Sequence, residues 1–102
     1  MSLKKGGGPK TIAATLTIVG QGSTDKLQIT FHNRRSSEVE ARLKDRPGER
    51  MAVIIPFIVE SWDLEFDLTE EGVIALEDEY PGLVAGILDG FWKARRKEVS
   101  GN

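Results

Sequence analysis

Residues 11–33 read TIAATLTIVGQGSTDKLQITFHN, and this stretch decides the fold class. Apolar residues fall at every second position in two runs, residues 11–19 and 26–33, and this period of two predicts two β-strands. A polar connection that contains glycine, residues 20–25, lies between them. We therefore predict an antiparallel hairpin with one apolar face, which the rest of the chain must cover because two strands alone are marginally stable. The residues predicted on that face are Ala14, Leu16, Ile18, Leu27, Ile29 and Phe31.

The second half of the chain has helical periodicity. Thr69 is predicted to cap a helix that begins at Glu70, and Pro81 is predicted to end it and to be the first residue of the last helix. A broad apolar stripe then predicts an amphipathic helix of about four turns. Its members are Leu83, Val84, Ile87, Leu88, Phe91 and Trp92. The predicted fold class is α+β, a small N-terminal antiparallel β-hairpin packed with a mainly helical C-terminal half.

The middle of the chain is less regular. Ser36 or Ser37 can cap a short, mostly solvated helix, and a loop is predicted at residues 46–48. Residues 51–59 are the most hydrophobic segment, and we expect them to be buried. Since Pro56 disfavours both a central strand and an unbroken helix, we expect a helical turn or two before it and extended chain after it. Four large apolar residues would then share one face if the chain stays extended, namely Trp62, Leu64, Phe66 and Leu68.

The length of 102 residues suits one domain. We expect a flexible tail at residues 1–10, a single globular domain at 11–97 and a second flexible tail at 98–102. The longest apolar stretch is well below the roughly 18 to 20 residues that span a bilayer. The glycines after Lys5 leave no apolar part for a secretory signal, and the absence of cysteine fits a reducing compartment. These features favour a cytoplasmic protein without a membrane partner.

Charge is distributed unevenly along the chain. Residues 1–50 contain ten Lys and Arg against five Asp and Glu, whereas residues 51–102 contain four against eleven. Residues 60–79 contain nine acidic residues and no basic one, and residues 93–97 close the last helix with a basic cluster. Two interpretations remain open, a solvated acidic face that keeps the protein soluble and a partner surface that acts through charge.

Three glycines in the last helix are spaced by four residues, Gly82, Gly86 and Gly90. A glycine inside a helix costs roughly 1 kcal/mol relative to alanine, so a compensating contact is expected. A row of glycines lets another backbone approach closely, either that of the preceding helix or that of a second copy. The alternative is that the helix tolerates these glycines because they lie near its ends.

The residues that usually carry catalysis are scarce. His32 is the single histidine and cysteine is absent, so neither a hydrolase triad nor an ordinary zinc site can be assembled. The Gly20-Gln21-Gly22 turn precedes a strand and not a helix, which argues against a phosphate-binding loop. We therefore expect that the protein is not an enzyme and that it binds no cofactor or metal. The sequence pI of about 5.4 argues against nucleic-acid binding, although Lys10, Arg34 and Arg35 could join the C-terminal basic cluster.

A set of motifs across residues 50–95 resembles the tail assembly chaperones of long-tailed bacteriophages. An apolar run ends in a Trp-Asp-Leu motif, a short helix opens with Leu-Thr-Glu-Glu at 68–71, a Tyr-Pro pair follows, and the closing helix carries an aromatic residue at Phe91. The order and spacing of the motifs carry the resemblance. The motif residues are Trp62, Asp63, Leu64, Tyr80 and Pro81.

The resemblance implies a non-enzymatic protein of the bacterial cytoplasm that binds the tape measure protein and keeps it soluble during tail assembly. It also implies a longer, frameshifted form of the same chain as a partner. We expect a surface on the last helix that binds a partner or a second copy of the chain in a homo-oligomer. The alternative is that the whole stripe is core, which is the more common fate of apolar residues at helical spacing. The residues predicted for this surface are Gly82, Gly86, Gly90, Leu88, Phe91 and Trp92. The alternatives are another phage structural protein, such as a head–tail connector or tail-tube component, or a small α+β adaptor.

Overall fold

The structure is a computed structural model that describes residues 3–45, 50–97 and 99. The loop predicted at residues 46–48 lies outside the described residues, as does the predicted tail 98–102 except for residue 99. The elements in chain order are β1 Thr11–Gly20, β2 Ser23–His32, α1 Ser36–Asp45, α2 Arg50–Ile58, β3 Val59–Trp62, α3 Glu70–Glu79 and α4 Leu83–Arg95. The predicted α+β class is confirmed, with an N-terminal hairpin followed by helices. No helix among the described residues is long and apolar enough to cross a membrane.

The three strands form one antiparallel sheet in the order β1-β2-β3. The register of the hairpin is unbroken from Thr11 opposite His32 to Gly20 opposite Ser23. Its loop is only two residues long, with φ of 50° at Gln21 and 79° at Gly22, which are the positive angles that a type I′ turn needs. The connection predicted over residues 20–25 was therefore too long. The polar residues after the turn, Ser23, Thr24 and Asp25, pair with β1 and are all exposed.

One face of the sheet forms the wall of the core. Leu27, Ile29 and Phe31 are at most 3% exposed, and α2 and α4 both contact the sheet. Phe31 meets Phe91 of α4 edge to face, with 5.5 Å between the ring centroids. The alternating pattern of β2 therefore predicted its buried face correctly. The matching residues of β1 are only half-buried, since β1 lies at the edge of the sheet and has a neighbour on one side.

Helix α2 runs through Pro56 to Ile58, so the prediction that it ends before Pro56 is wrong. Pro56 lies in the last turn, where the missing N–H and the ring disturb only the end of the hydrogen-bond ladder. Continuing the helix also keeps Ile55 and Ile58 fully buried, at 0% exposed each. The expected extended chain does follow, as β3, and it adds the third strand to the sheet.

For the residues between β3 and α4, one prediction is confirmed and another is wrong. The Oγ1 of Thr69 accepts a hydrogen bond from the N–H of Gly72 at 3.1 Å, which confirms the predicted cap of α3. Helix α4 begins at Leu83, so Pro81 is not its first residue. Gly82 lies between Pro81 and the helix and has a φ of 92°. This left-handed conformation is not helical, and glycine adopts it without strain.

Candidate functional site

An open groove of about 830 Å³ lies between the end of the hairpin, the segment after β3 and the beginning of α4. We call it the tip groove. Its apolar lining comes from Leu16, Ile18, Leu64, Phe66, Tyr80 and Leu83. Gly82 and Gly86 also line it. Leu16 and Ile18, which line the groove from β1, are half-buried.

Hydrogen bonds hold the three walls of the groove in place. At the hairpin end, the Nε2 of Gln21 donates to the carbonyl of Glu79, at 3.3 Å, and so ties the turn to the end of α3. The segment after β3 is fixed to β2, since the N–H of Asp63 donates to the carbonyl of Gln28 at 3.2 Å. The N–H of Gln28 returns a bond to the Oδ1 of Asp63 at 3.1 Å. These bonds anchor the end of the hairpin and the segment after β3.

Two aromatic rings form one side of the tip groove. Phe66 and Tyr80 pack edge to face, with centroids 6.2 Å apart and an interplanar angle of 84°. The carbonyl of Phe66 accepts a hydrogen bond from the Nε1 of Trp62 at 2.9 Å, which sets the path of the chain leading to this ring. Tyr80, the residue after the end of α3, is 41% exposed. This side of the groove therefore presents apolar surface to solvent.

The three spaced glycines have three different surroundings. Gly82 precedes α4 with its positive φ, and a Cβ placed at Gly86 would meet nothing within 4 Å. A Cβ at Gly90 would lie 2.8 Å from the Cδ2 of Leu16. At Gly90 the occupant is therefore the hairpin of the same chain, and neither of the expected occupants, the preceding helix and a second copy, fills that place. The sequence could not indicate this, because the contact joins residues far apart in the chain.

The predicted partner stripe of α4 is divided between the core and the surface. Phe91 is 0% exposed and contacts Trp92 edge to face at 5.1 Å, so Phe91 has no surface to offer a partner while the protein is folded. Leu88 and Trp92 are half-buried and pack on the core. They do not line the tip groove, and a partner role for these two residues stays a prediction.

Most of the family-motif residues gather at the tip groove. Asp63, Leu64, Tyr80 and Pro81 line it, whereas Trp62 lines a separate depression of about 480 Å³ beside β1 and β2. Other lining residues were missed as site residues, namely Leu16, Ile18, Phe66 and Leu83. The signal that could have identified them was the position of β1 at the edge of the sheet. Apolar residues of an edge strand are covered from one side only. Part of their surface therefore stays open, although their alternating pattern predicts that they are core.

Charge is separated along the hairpin. The acidic residues Asp25, Asp63 and Glu65 line the tip groove, and the lysine beside them, Lys26, donates to the Oγ1 of Thr17 at 2.7 Å. The far end of β2 is basic instead. There Asn33 joins two basic residues, because its N–H donates to the carbonyl of Lys10 and its Oδ1 accepts from the Nε of Arg95 at 2.8 Å. The guanidinium groups of Arg34 and Arg42 also stack on the ring of Phe57. These basic residues lie away from the tip groove, and the rim of the groove is mainly acidic.

The class of protein that this fold and site define is a small α+β protein with an open apolar groove. No group of three or more His, Asp or Glu in the described part of the chain could hold a metal ion. A sequence model of the family described as phage tail assembly chaperone matches residues 9–102. The chain therefore belongs to the phage tail assembly chaperone family, which is not a known class of enzymes. Comparisons with curated proteins and with solved structures give no significant match.

Proposed function

We propose that the protein binds the tape measure protein of its phage or prophage through the tip groove and keeps it soluble during tail assembly in the bacterial cytoplasm. The observation that carries the proposal is the gathering of four family-motif residues along one open apolar groove. The function is one of binding, with no chemical step. The proposal includes a longer, frameshifted form of the chain that acts beside this one, which rests on the family alone.

The apolar lining of the groove suits a helical client. An amphipathic helix that lies in a groove inserts apolar side chains at intervals of three and four residues. The half-buried leucines of the groove, Leu16, Leu64 and Leu83, offer the apolar contacts that such a helix needs, and Tyr80 adds an aromatic wall.

Gly86 gives the groove a place for close approach. An interior glycine costs a helix roughly 1 kcal/mol relative to alanine, and no atom of the described residues lies within 4 Å of the position of its missing Cβ. No internal packing therefore accounts for the glycine. A client side chain that rests directly on the backbone of α4 accounts for it, because only glycine leaves that space open.

The charges of the groove indicate the character of the client. Three carboxylates line the groove, those of Asp25, Asp63 and Glu65, against one ammonium group, that of Lys26, so the lining is net negative. A client helix with lysine or arginine beside its apolar stripe would match this rim. Attraction between exposed charges is screened by salt, so we expect the affinity to fall as ionic strength rises.

Co-expression with the cognate tape measure protein tests the proposal. We expect a soluble complex that elutes as one species in size-exclusion chromatography with light scattering, while the tape measure protein alone aggregates. Aggregation of the client with and without this chain, at every expression ratio, would contradict the chaperone function.

A matched pair of variants tests the groove separately from the function. Tyr80→Glu places a charge in the tip groove, and Ile74→Glu places the same charge on an exposed apolar residue of α3 that does not line it. We expect Tyr80→Glu to fold, as circular dichroism would verify, and to lose the complex, whereas Ile74→Glu retains it. Equal retention by both folded variants would reject the groove and leave the chaperone function standing.

A further inference from the structure

The two edges of the sheet differ in their protection against pairing with another strand. The β3 edge has four residues, an irregular register near Phe31 and a charged residue, Glu60. Short length, irregularity and charge are the usual devices that prevent edge-to-edge association. The β1 edge has none of them: its ten residues carry no charge and no proline, and its register with β2 is unbroken. No other described strand pairs with β1.

The turn determines which backbone groups of β1 point outward. In a two-residue type I′ hairpin the residues that flank the turn, here Gly20 and Ser23, form a hydrogen-bonded pair, and bonded and non-bonded pairs then alternate along the strands. The N–H and C=O groups of every second residue of β1 therefore point away from β2. These residues are Thr11, Ala13, Thr15, Thr17 and Val19, whose side chains also lie on the exposed face.

We propose that this edge pairs with the same edge of a second copy, antiparallel and centred on Thr15, to give a continuous six-stranded sheet. A two-fold axis at Thr15 places each outward-pointing residue opposite another outward-pointing one, with Ala13 opposite Thr17 and Thr11 opposite Val19 of the second copy. The nine residues from Thr11 to Val19 pair with the same nine residues of the second copy, and Gly20 meets Lys10. The interface is self-complementary, as two-fold association requires.

The side chains of β1 favour its own copy as the occupant. In this register Ala14 lies opposite Leu16 of the second copy and Ile12 lies opposite Ile18, so that the half-buried apolar face of β1 continues across the interface. Val19, which is 75% exposed, lies next to a threonine methyl group. No like charges face each other between residues 11 and 19. Pairing through β3 would instead bring Glu60 of both copies together. The inference concerns the edge of β1 and does not depend on a client in the tip groove.

Opposite charges at the symmetry centre test both the edge and the register. Thr15→Lys and Thr15→Glu each place like charges opposite each other in a dimer of identical chains, which destabilises a cross-strand pair. A mixture of the two variants pairs opposite charges. Gln28→Lys is the matched control, because it adds the same charge to the same face of the sheet and removes the same Thr15–Gln28 hydrogen bond, but it lies on the central strand.

Sedimentation velocity across a concentration series measures the association. We expect the wild-type chain and Gln28→Lys to move from monomer towards dimer as concentration rises. We expect each Thr15 variant alone to have a dimer dissociation constant at least about tenfold higher, and the mixture to restore the dimer. Amide exchange by NMR should show concentration-dependent protection at Ala13, Thr15 and Thr17. A wild-type chain that stays monomeric, or a dimer that both Thr15 variants form unchanged, would overturn the proposal.

Discussion

Replacing Gly86 with alanine should stabilise the protein and weaken client binding. A Cβ at this position meets nothing within 4 Å, so the substitution removes no contact. The gain in helix propensity is roughly 1 kcal/mol, partly because the unfolded chain loses freedom. For a domain of this size that gain raises the Tm by about 4–8 °C.

The same methyl group enters the tip groove, which Gly86 lines. If a client side chain rests there, the clash should cost about 1–3 kcal/mol of binding free energy, as overpacking does in a core. Thermal unfolding followed by circular dichroism measures the first effect, and titration of a client fragment measures the second. Gly72→Ala is the control for stability, because its Cβ would collide with the backbone carbonyl of Asp67 and should destabilise the protein.

Two results would refute this reasoning. A lower Tm for Gly86→Ala would show that the glycine has a role within the fold. A higher Tm with unchanged client affinity would show that no client approaches the backbone of α4 at this position.

Three further substitutions test the packing. Phe91→Ala removes a fully buried ring that contacts Phe31. Urea unfolding should show that the free energy of unfolding falls by about 3–5 kcal/mol. A fall of less than about 1 kcal/mol would contradict the placement of Phe91 in the core. Thr69→Ala removes the cap of α3 and should cost about 1 kcal/mol, with faster amide exchange in the first turn; unchanged exchange there would argue against the cap. Gly90→Ala should lower the free energy of unfolding by about 1–3 kcal/mol, because the new methyl group displaces Leu16. Adding Leu16→Ala to the same chain should relieve that clash. Additive effects in a double-mutant cycle would mean that the two residues do not touch.

Local patterns predicted the elements that depend on local physics. The alternation around Ile29 predicted both a strand and its buried face, because side chains of a strand alternate between its two faces. The cap at Thr69 was predictable since a threonine hydroxyl satisfies a free N–H at a helix start. The spacing of Val84 and Ile87 likewise predicted the buried side of α4.

Some of the incorrect predictions concern places where distant parts of the chain meet. Pro56 does not end α2, because burial of the isoleucines around it outweighs a local disturbance. Gly86 and Gly90 look equivalent in sequence, yet one faces open space and the other faces Leu16. The sequence placed Tyr80 and Pro81 in a family motif but could not indicate that they line a groove.

Hydrogen exchange of the chain, free and in complex with the tape measure protein, tests the central claim most directly. The segments that line the tip groove are residues 16–27, 63–66 and 80–87. Residues 64–66 lie outside the helices and strands, and unlike the N–H of Asp63, which donates to the carbonyl of Gln28, their amides should exchange readily in the free protein. We predict that the complex slows exchange at 63–66 and 80–87. Unchanged exchange in both segments, with slowing confined to residues 88–95, would contradict the claim and place the client on the far part of α4.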